Sequence, residues 1–193
     1  MASAPSFRSI VGLTPSTAST SDSTLVIIDA QNEYATGKLH VEGVETSRKV
    51  IASVLEKYRA AKAPIVHVTH DTPEGAPVFT PGTELAKEFE ELTPKEGESI
   101  ITKEHPGCFT GTNLQELLEA TGRSKVVLTG YMAHICVSTT ARQASERGWD
   151  PLVVEDAIGT RHIPGSSADE LKRVVLNEIA DGFGTIIRSG DIQ

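Results

Sequence analysis

Three features of the sequence point to one α/β domain, a doubly wound, Rossmann-like parallel sheet of six strands with helices on both faces. Short, branched apolar runs recur at 24–28, 65–69, 125–129, 151–155 and 184–187, with a weaker one at 98–102. Runs without polar alternation suit strands covered on both sides. Segments with a helical apolar period lie between them. The chain has 193 residues, enough for one sizeable core but not for two. Strands alternating with helices, joined by right-handed crossovers, close into a single parallel sheet.

Residues 1–23 are rich in Ser, Thr, Ala and Pro. They are expected to form a flexible or surface-draped arm, leaving 24–193 as the folded domain. Thr24–Ile28 is the first strand and, by its composition, a central one. It ends in Asp29-Ala30-Gln31-Asn32-Glu33-Tyr34. An acid there lies at the carboxyl edge of the sheet, where open α/β folds bind ligands. It equally suits a cap on the following turn.

A helix follows over 43–62, with Val44, Val50, Ile51, Val54, Leu55 and Tyr58 on one face. Pro64 opens the second strand, Ile65–Thr69. His67 and His70 point to opposite faces of it, so the pair does not chelate one ion. His70 can still turn into a site at the strand end. Residues 71–82 form a long loop over the carboxyl edge, of the kind that serves as a substrate lid or subunit contact. Next come a short helix over Glu84–Leu92, a strand over Glu98–Thr102 and Lys103 directly after it. Leu114, Leu117 and Leu118 mark a helix from about Thr112 that Gly122 ends.

Val126-Val127-Leu128 is a buried strand, Tyr131–Ile135 a loop, and a helix starts at about Cys136, with Val137, Thr140, Ala141 and Ala144 on one side. A helix N-terminus stabilises a thiolate and lowers the thiol pKa. Its free N–H groups can hold an oxyanion. The plain alternative is a buried thiol packed as a small apolar group. Pro151–Glu155 is the fifth strand and ends in Asp156-Ala157. A helix capped by Ser166 or Ser167 then runs to about Ala180 with Leu171, Val174, Val175 and Ile179 on its apolar face. Residues 184–187 close the sheet.

The net charge is −8 and no Lys/Arg cluster forms a stripe, which argues against nucleic acid and anionic membranes as partners. No apolar run reaches membrane-spanning length. Two cysteines, Cys108 and Cys136, make no disulfide framework and suit a reducing compartment. Met1–Ile10 carries one Arg and no apolar leader core. The expected location is therefore cytoplasmic.

Asp29, Lys103 and Cys136 each follow a predicted strand, so a parallel sheet brings all three to one edge. A thiol, a carboxylate and an amine together suit acyl transfer. Asp29 would take the thiol proton, Cys136 would attack a carbonyl carbon, and Lys103 would hold the carboxylate and stabilise negative charge. No G-x-S-x-G elbow, P-loop or G-x-G-x-x-G is present. A flavodoxin-like binding module stays open on fold alone.

These residues carry a resemblance. The strand followed by Asp29–Tyr34, the pair Lys103 and Phe109, and Thr129–Val137 followed by Thr140-Ala141 resemble the isochorismatase-like cysteine hydrolases over residues 24–190. That group includes nicotinamidases, carbamoylsarcosine amidases and isochorismatases. The resemblance implies a catalytic triad of Asp29, Lys103 and Cys136, and a dimer or tetramer. It also implies a cis peptide between Tyr131 and Met132, which turns the Met132 N–H toward that of Cys136 as an oxyanion hole. The metal motif of nicotinamidases is replaced by His70-Asp71-Thr72-Pro73, so no catalytic metal and no cofactor are expected.

The expected activity is cleavage of a small amide through a cysteinyl thioester. The alternative is hydrolysis of isochorismate to 2,3-dihydro-2,3-dihydroxybenzoate and pyruvate, and a non-catalytic binding relative is the third reading. Tyr34, His70, Phe109, Tyr131 and His134 are candidates for the wall of a small-molecule pocket, each with plain packing as its alternative.

Overall fold

The first strand organises the sheet. In the computed structural model, which describes residues 4–193, β1 (Ser23–Ile28) is buried at every position. Leu25 and Ile27 face one helix layer and Val26 and Ile28 the other, as expected for a strand covered on both sides. β2 (Ile65–His70), β3 (Ser99–Lys103), β4 (Lys125–Gly130), β5 (Asp150–Ile158) and β6 (Thr185–Ile187) complete six parallel strands in the order β3-β2-β1-β4-β5-β6. The expected doubly wound sheet is therefore the observed one.

One face is covered by α3 (Val44–Ala60) through Val44, Ile51, Val54, Leu55 and Tyr58. The other is covered by α4 (Leu114–Ala120), α5 (Ser138–Glu146) and α6 (Ala168–Gly182). Ser167 caps α6 by accepting from Glu170 N at 3.3 Å. Val174, expected on its apolar face, is exposed; Val175 and Ile179 carry the contact. The segment expected as a short helix over 84–92 is two 3₁₀ turns, Glu84–Ala86 and Glu90–Leu92. Between them Glu88 bridges to Gln31 in antiparallel fashion, and that pairing breaks the helical run.

Residues 1–3 of the expected arm lie outside the described residues. The rest carries a one-turn helix, α1 (Phe7–Ile10), and touches the body: Ser16 N donates to Thr185 Oγ1 at 2.9 Å and Thr20 N to Gln193 O at 2.8 Å. The remaining short helix, α2 (Glu33–Thr36), follows β1. Among the described residues no helix is long and apolar enough to cross a membrane.

The ends of β1 and β4 meet closely. A Cβ on Gly130 would sit 1.9 Å from Ile28 O, and its φ of +109° favours glycine independently. With glycine there, Tyr131 N reaches Ile28 O at 2.9 Å. This contact sets the loop before Cys136 beside Asp29.

Candidate active site

Asp29 leaves β1 with φ +49°, a left-handed conformation that aspartate tolerates better than most side chains. Its N–H donates to Val68 O and its C=O accepts from Gln31 N, both at 2.8 Å. The carboxylate is thereby turned into the sheet edge, fully buried. Lys103 ends β3 and is paired in register with His70 of β2. Its Nζ lies 2.8 Å from Asp29 Oδ2, 3.5 Å from Cys136 Sγ and 3.1 Å from His70 Nδ1. The structure therefore brings Asp29, Lys103 and Cys136 together, with His70 as a fourth member.

Cys136 does not begin an α-helix. It lies in a π-helical turn, Ala133–Val137, that runs into α5. The Tyr131–Met132 peptide before it is cis. The thiol is 5% exposed. Burial pushes its pKa up and the Asp29 carboxylate adds to the rise; Lys103 offsets only part. Desolvation and the neighbouring Asp29 carboxylate thus oppose the lowering expected from a helix N-terminus.

Burial also lifts the Asp29 carboxyl above its ordinary range, partly offset by Lys103. Asp29 Oδ2 is held by the Lys103 ammonium at 2.8 Å, and Oδ1 has no hydrogen-bond partner among the described residues. Burial opposes the Lys103 charge, but Asp29 and Cys136 more than compensate and its pKa rises. Lys103 therefore stays an ammonium. Cys108 is fully buried, donates its N–H to Thr140 Oγ1 at 3.1 Å, and has its thiol pushed up to about 12 by burial.

The expected pocket wall is only partly assembled. Tyr34 is buried next to the reactive groups; burial, then the Asp29 and Cys136 charges, push its phenol pKa well up. Tyr131 turns away. Its ring is wholly buried and its hydroxyl meets Ser47 Oγ of α3 at 2.8 Å, so it belongs to the core. Phe109 lies under the guanidinium of Arg147, the residue just after α5, at 4.9 Å, and its N–H donates to Gln143 Oε1 of α5. His134 Nδ1 meets Thr160 Oγ1 at 2.6 Å. Burial and the nearby Arg161 charge lower the His134 pKa. Among the described residues no three His, Cys, Asp or Glu side chains are grouped to hold a metal ion.

Three further residues belong to this region. Phe79, in the loop after β2, is buried against Tyr34 and His70 with ring centroids 5.2 Å from each. Its N–H donates to the buried Glu33 Oε2 at 3.3 Å, and Glu33 Oε1 accepts from Lys38 N at 2.7 Å. Arg161, just beyond β5, has a buried Nε with no hydrogen-bond partner among the described residues. The signals were a lone aromatic in a turn-rich loop and a cation directly after a strand on the same edge.

An isochorismatase-domain profile matches residues 23–191. The chain is 65% identical, over 97% of its length and 99% of the relative's, to the secreted isochorismatase effector Isc1 of Verticillium dahliae. It is 28% identical to maleamate amidohydrolase of Pseudomonas putida, over 86% of this chain and 83% of that one. The crystal structure of an isochorismatase from Pseudomonas putida superposes with a TM-score of 0.94 at 31% identity, covering 99% of this chain and all of that one. The secreted relative overturns the cytoplasmic expectation. That expectation leaned on the Met1–Ile10 stretch without an apolar core and on two unpaired cysteines; both cysteines are buried, so packing shields the thiols and they report nothing about the compartment. The chain belongs to the isochorismatase family of hydrolases.

Proposed function

We propose that the chain hydrolyses isochorismate to 2,3-dihydro-2,3-dihydroxybenzoate and pyruvate, outside the cell, with Asp29 as the proton donor. The observation that carries this reading is Asp29 itself, a fully buried carboxyl with Oδ1 left open among the described residues. Burial lifts both the Asp29 carboxyl and the Cys136 thiol. Asp29 rests as a carboxylate against the Lys103 ammonium, and because burial raises its pKa it takes up a proton more readily than an ordinary carboxyl and can deliver it. A lifted thiol is a poor source of thiolate. A buried carboxyl of this kind suits acid chemistry, and together with the isochorismatase relative it reverses the order of the two readings taken from the sequence. The relative named as an isochorismatase effector supports the same substrate.

In this reading Asp29 protonates the terminal CH₂ carbon of the enol ether. Positive charge develops on the ether-bearing carbon, and water adds there. The resulting hemiketal breaks its bond to the ring oxygen, which leaves as the ring hydroxyl, and pyruvate is released. The proton lost by water returns to Asp29. Lys103 holds the carboxylate in place. Arg161, with its unpartnered Nε, suits a substrate carboxylate.

The second reading is amide cleavage, favoured by Cys136 Sγ at 3.5 Å from Lys103 Nζ and beside Asp29. There Asp29 takes the thiol proton as sulfur attacks the carbonyl carbon. The Met132 and Cys136 N–H groups hold the oxyanion, and water hydrolyses the thioester.

Pyruvate release from isochorismate separates the two. Asp29→Asn should lose about 10²–10⁴-fold in kcat, the usual worth of a positioned proton donor, while Cys136→Ala keeps substantial turnover. No pyruvate from the wild type, or its complete loss in Cys136→Ala, would sink the acid reading. A covalent acyl adduct on Cys136 with a small amide would replace it with the thioester route.

A further inference from the structure

Lys103 has three N–H groups to give and three acceptors around it. Two belong to the reacting groups, Asp29 Oδ2 and Cys136 Sγ; the third is His70 Nδ1 at 3.1 Å. Neither route above uses that third bond. An ammonium only donates, so Nδ1 must offer its lone pair, and the imidazole must be neutral with its proton on Nε2.

We infer that His70 is a positioning residue whose neutral Nδ1 holds the third N–H of Lys103 and so aims the ammonium at Asp29 and Cys136. This rests on the reading that Asp29 and Lys103 form the reacting pair. It holds for either chemistry, since both need the ammonium fixed against the carboxylate.

The surroundings are built for this. His70 and Lys103 are register partners on β2 and β3, so their side chains leave the edge side by side. Gln31, two residues after Asp29, clamps the His70 backbone on both sides. Its Nε2 donates to His70 O at 3.0 Å, and its Oε1 accepts from His70 N at 2.8 Å. Phe79 packs on the imidazole ring from the loop above. Burial and the Lys103 charge bring the His70 pKa down to about 4; His105 acts in the same direction and Asp71 against it. The ring is thus held in place, oriented and neutral at the one position where Lys103 still has a proton to donate.

A crossed pair of variants tests it. His70→Asn keeps an acceptor where Nδ1 stood and loses the ring against Phe79. His70→Phe keeps the ring and loses the acceptor. A positioning role predicts that Asn retains near-wild-type turnover. Phe should lose kcat about tenfold to a hundredfold, the worth of a hydrogen bond to a charged group, with KM unchanged. A packing role predicts the opposite order.

The second readout needs no substrate: the pH-dependent rate of iodoacetamide alkylation at Cys136, followed by mass spectrometry of its peptide. A loosened Lys103 should raise the thiol pKa in His70→Phe and leave it unchanged in His70→Asn. Separation of the two variants by alkylation, with no pyruvate made from isochorismate, would retire the proposed substrate and leave the role of His70 standing. Equal alkylation profiles for His70→Phe and wild type, or Asn falling together with Phe, would overturn that role.

Discussion

His67 and His70 stand three residues apart on β2 and meet opposite charges. His67 is buried with Nδ1 and Nε2 each 3.0 Å from a carboxylate oxygen, of Glu88 and Glu98. Glu98 is gripped in turn by Arg59 of α3 at 2.7 and 2.9 Å. His70 Nδ1 instead faces an ammonium. The first cluster is nearly closed: among its oxygens only Glu88 Oε2 lacks a partner among the described residues. It ties the 84–92 crosspiece and the approach to β3 onto α3. The second holds Asp29 by Oδ2 alone, on Lys103 at 2.8 Å, and leaves Oδ1 without a partner among the described residues. Buried polar groups that satisfy one another hold shape, and a buried acid with one oxygen left open marks a place where the molecule does something.

The harshest test of this contrast is Lys103→Met. It strands a buried carboxylate and should cost about 3–5 kcal/mol in urea unfolding, with turnover lost. Adding Asp29→Asn should restore much of the stability and none of the activity. Unchanged stability in the single variant would mean that Asp29 is neutral in the native state.

On the other face, His67→Phe removes two charge-assisted bonds and should cost about 2–3 kcal/mol. kcat should be unaffected at temperatures below the melt. A kcat loss as large as that of His70→Phe would erase the functional distinction between the two histidines.

A pH titration of stability gives a smaller effect with a definite sign. Burial opposes the Glu98 charge, but Arg59, the Lys95 backbone and His67 hold its pKa at about 2. A depressed carboxyl stabilises the fold above its unfolded pKa, and the gain is lost as pH falls through the native value. Stability should therefore decline from about pH 5 towards 2, and Glu98→Gln should flatten part of that slope. The Asp29 carboxyl, raised by burial, acts with the opposite sign and favours the fold at low pH.

The smallest effect is expected from Tyr131→Phe. Losing the bond to Ser47 should cost about 1 kcal/mol and leave KM unchanged, since the phenol faces α3. A marked rise in KM would return Tyr131 to the pocket wall.

Much of this was open to reading in the chain. The unalternated apolar run of β1, the periodic face of α3 and the stop at Gly122 are local patterns, and the sheet followed from them. Asp29, Lys103 and Cys136 were found because a parallel sheet sends every strand end to one edge, so placement along the chain implies meeting in space. The aromatic residues were less legible. Tyr131 and Tyr34 both lie beside strand ends, yet the Tyr131 hydroxyl is drawn to Ser47 of α3, whereas the buried Tyr34 phenol feels the Asp29 and Cys136 charges. Phe79 and Arg161 lie in turn-rich segments whose period says nothing about where a side chain points.

Periodicity and strand ends are properties of neighbours in sequence, which is why the residue order alone carried the layers, the sheet and the meeting of Asp29, Lys103 and Cys136 at one edge. Protonation is set by neighbours in space. The same residue type on one strand is held by carboxylates at position 67 and by an ammonium at position 70, and the partners come from residues 21 to 33 positions away. Whether Cys136 is a ready thiolate or a buried thiol rested on desolvation and on Asp29, which lies 107 positions earlier in the chain. Those contacts exist only once the chain has folded.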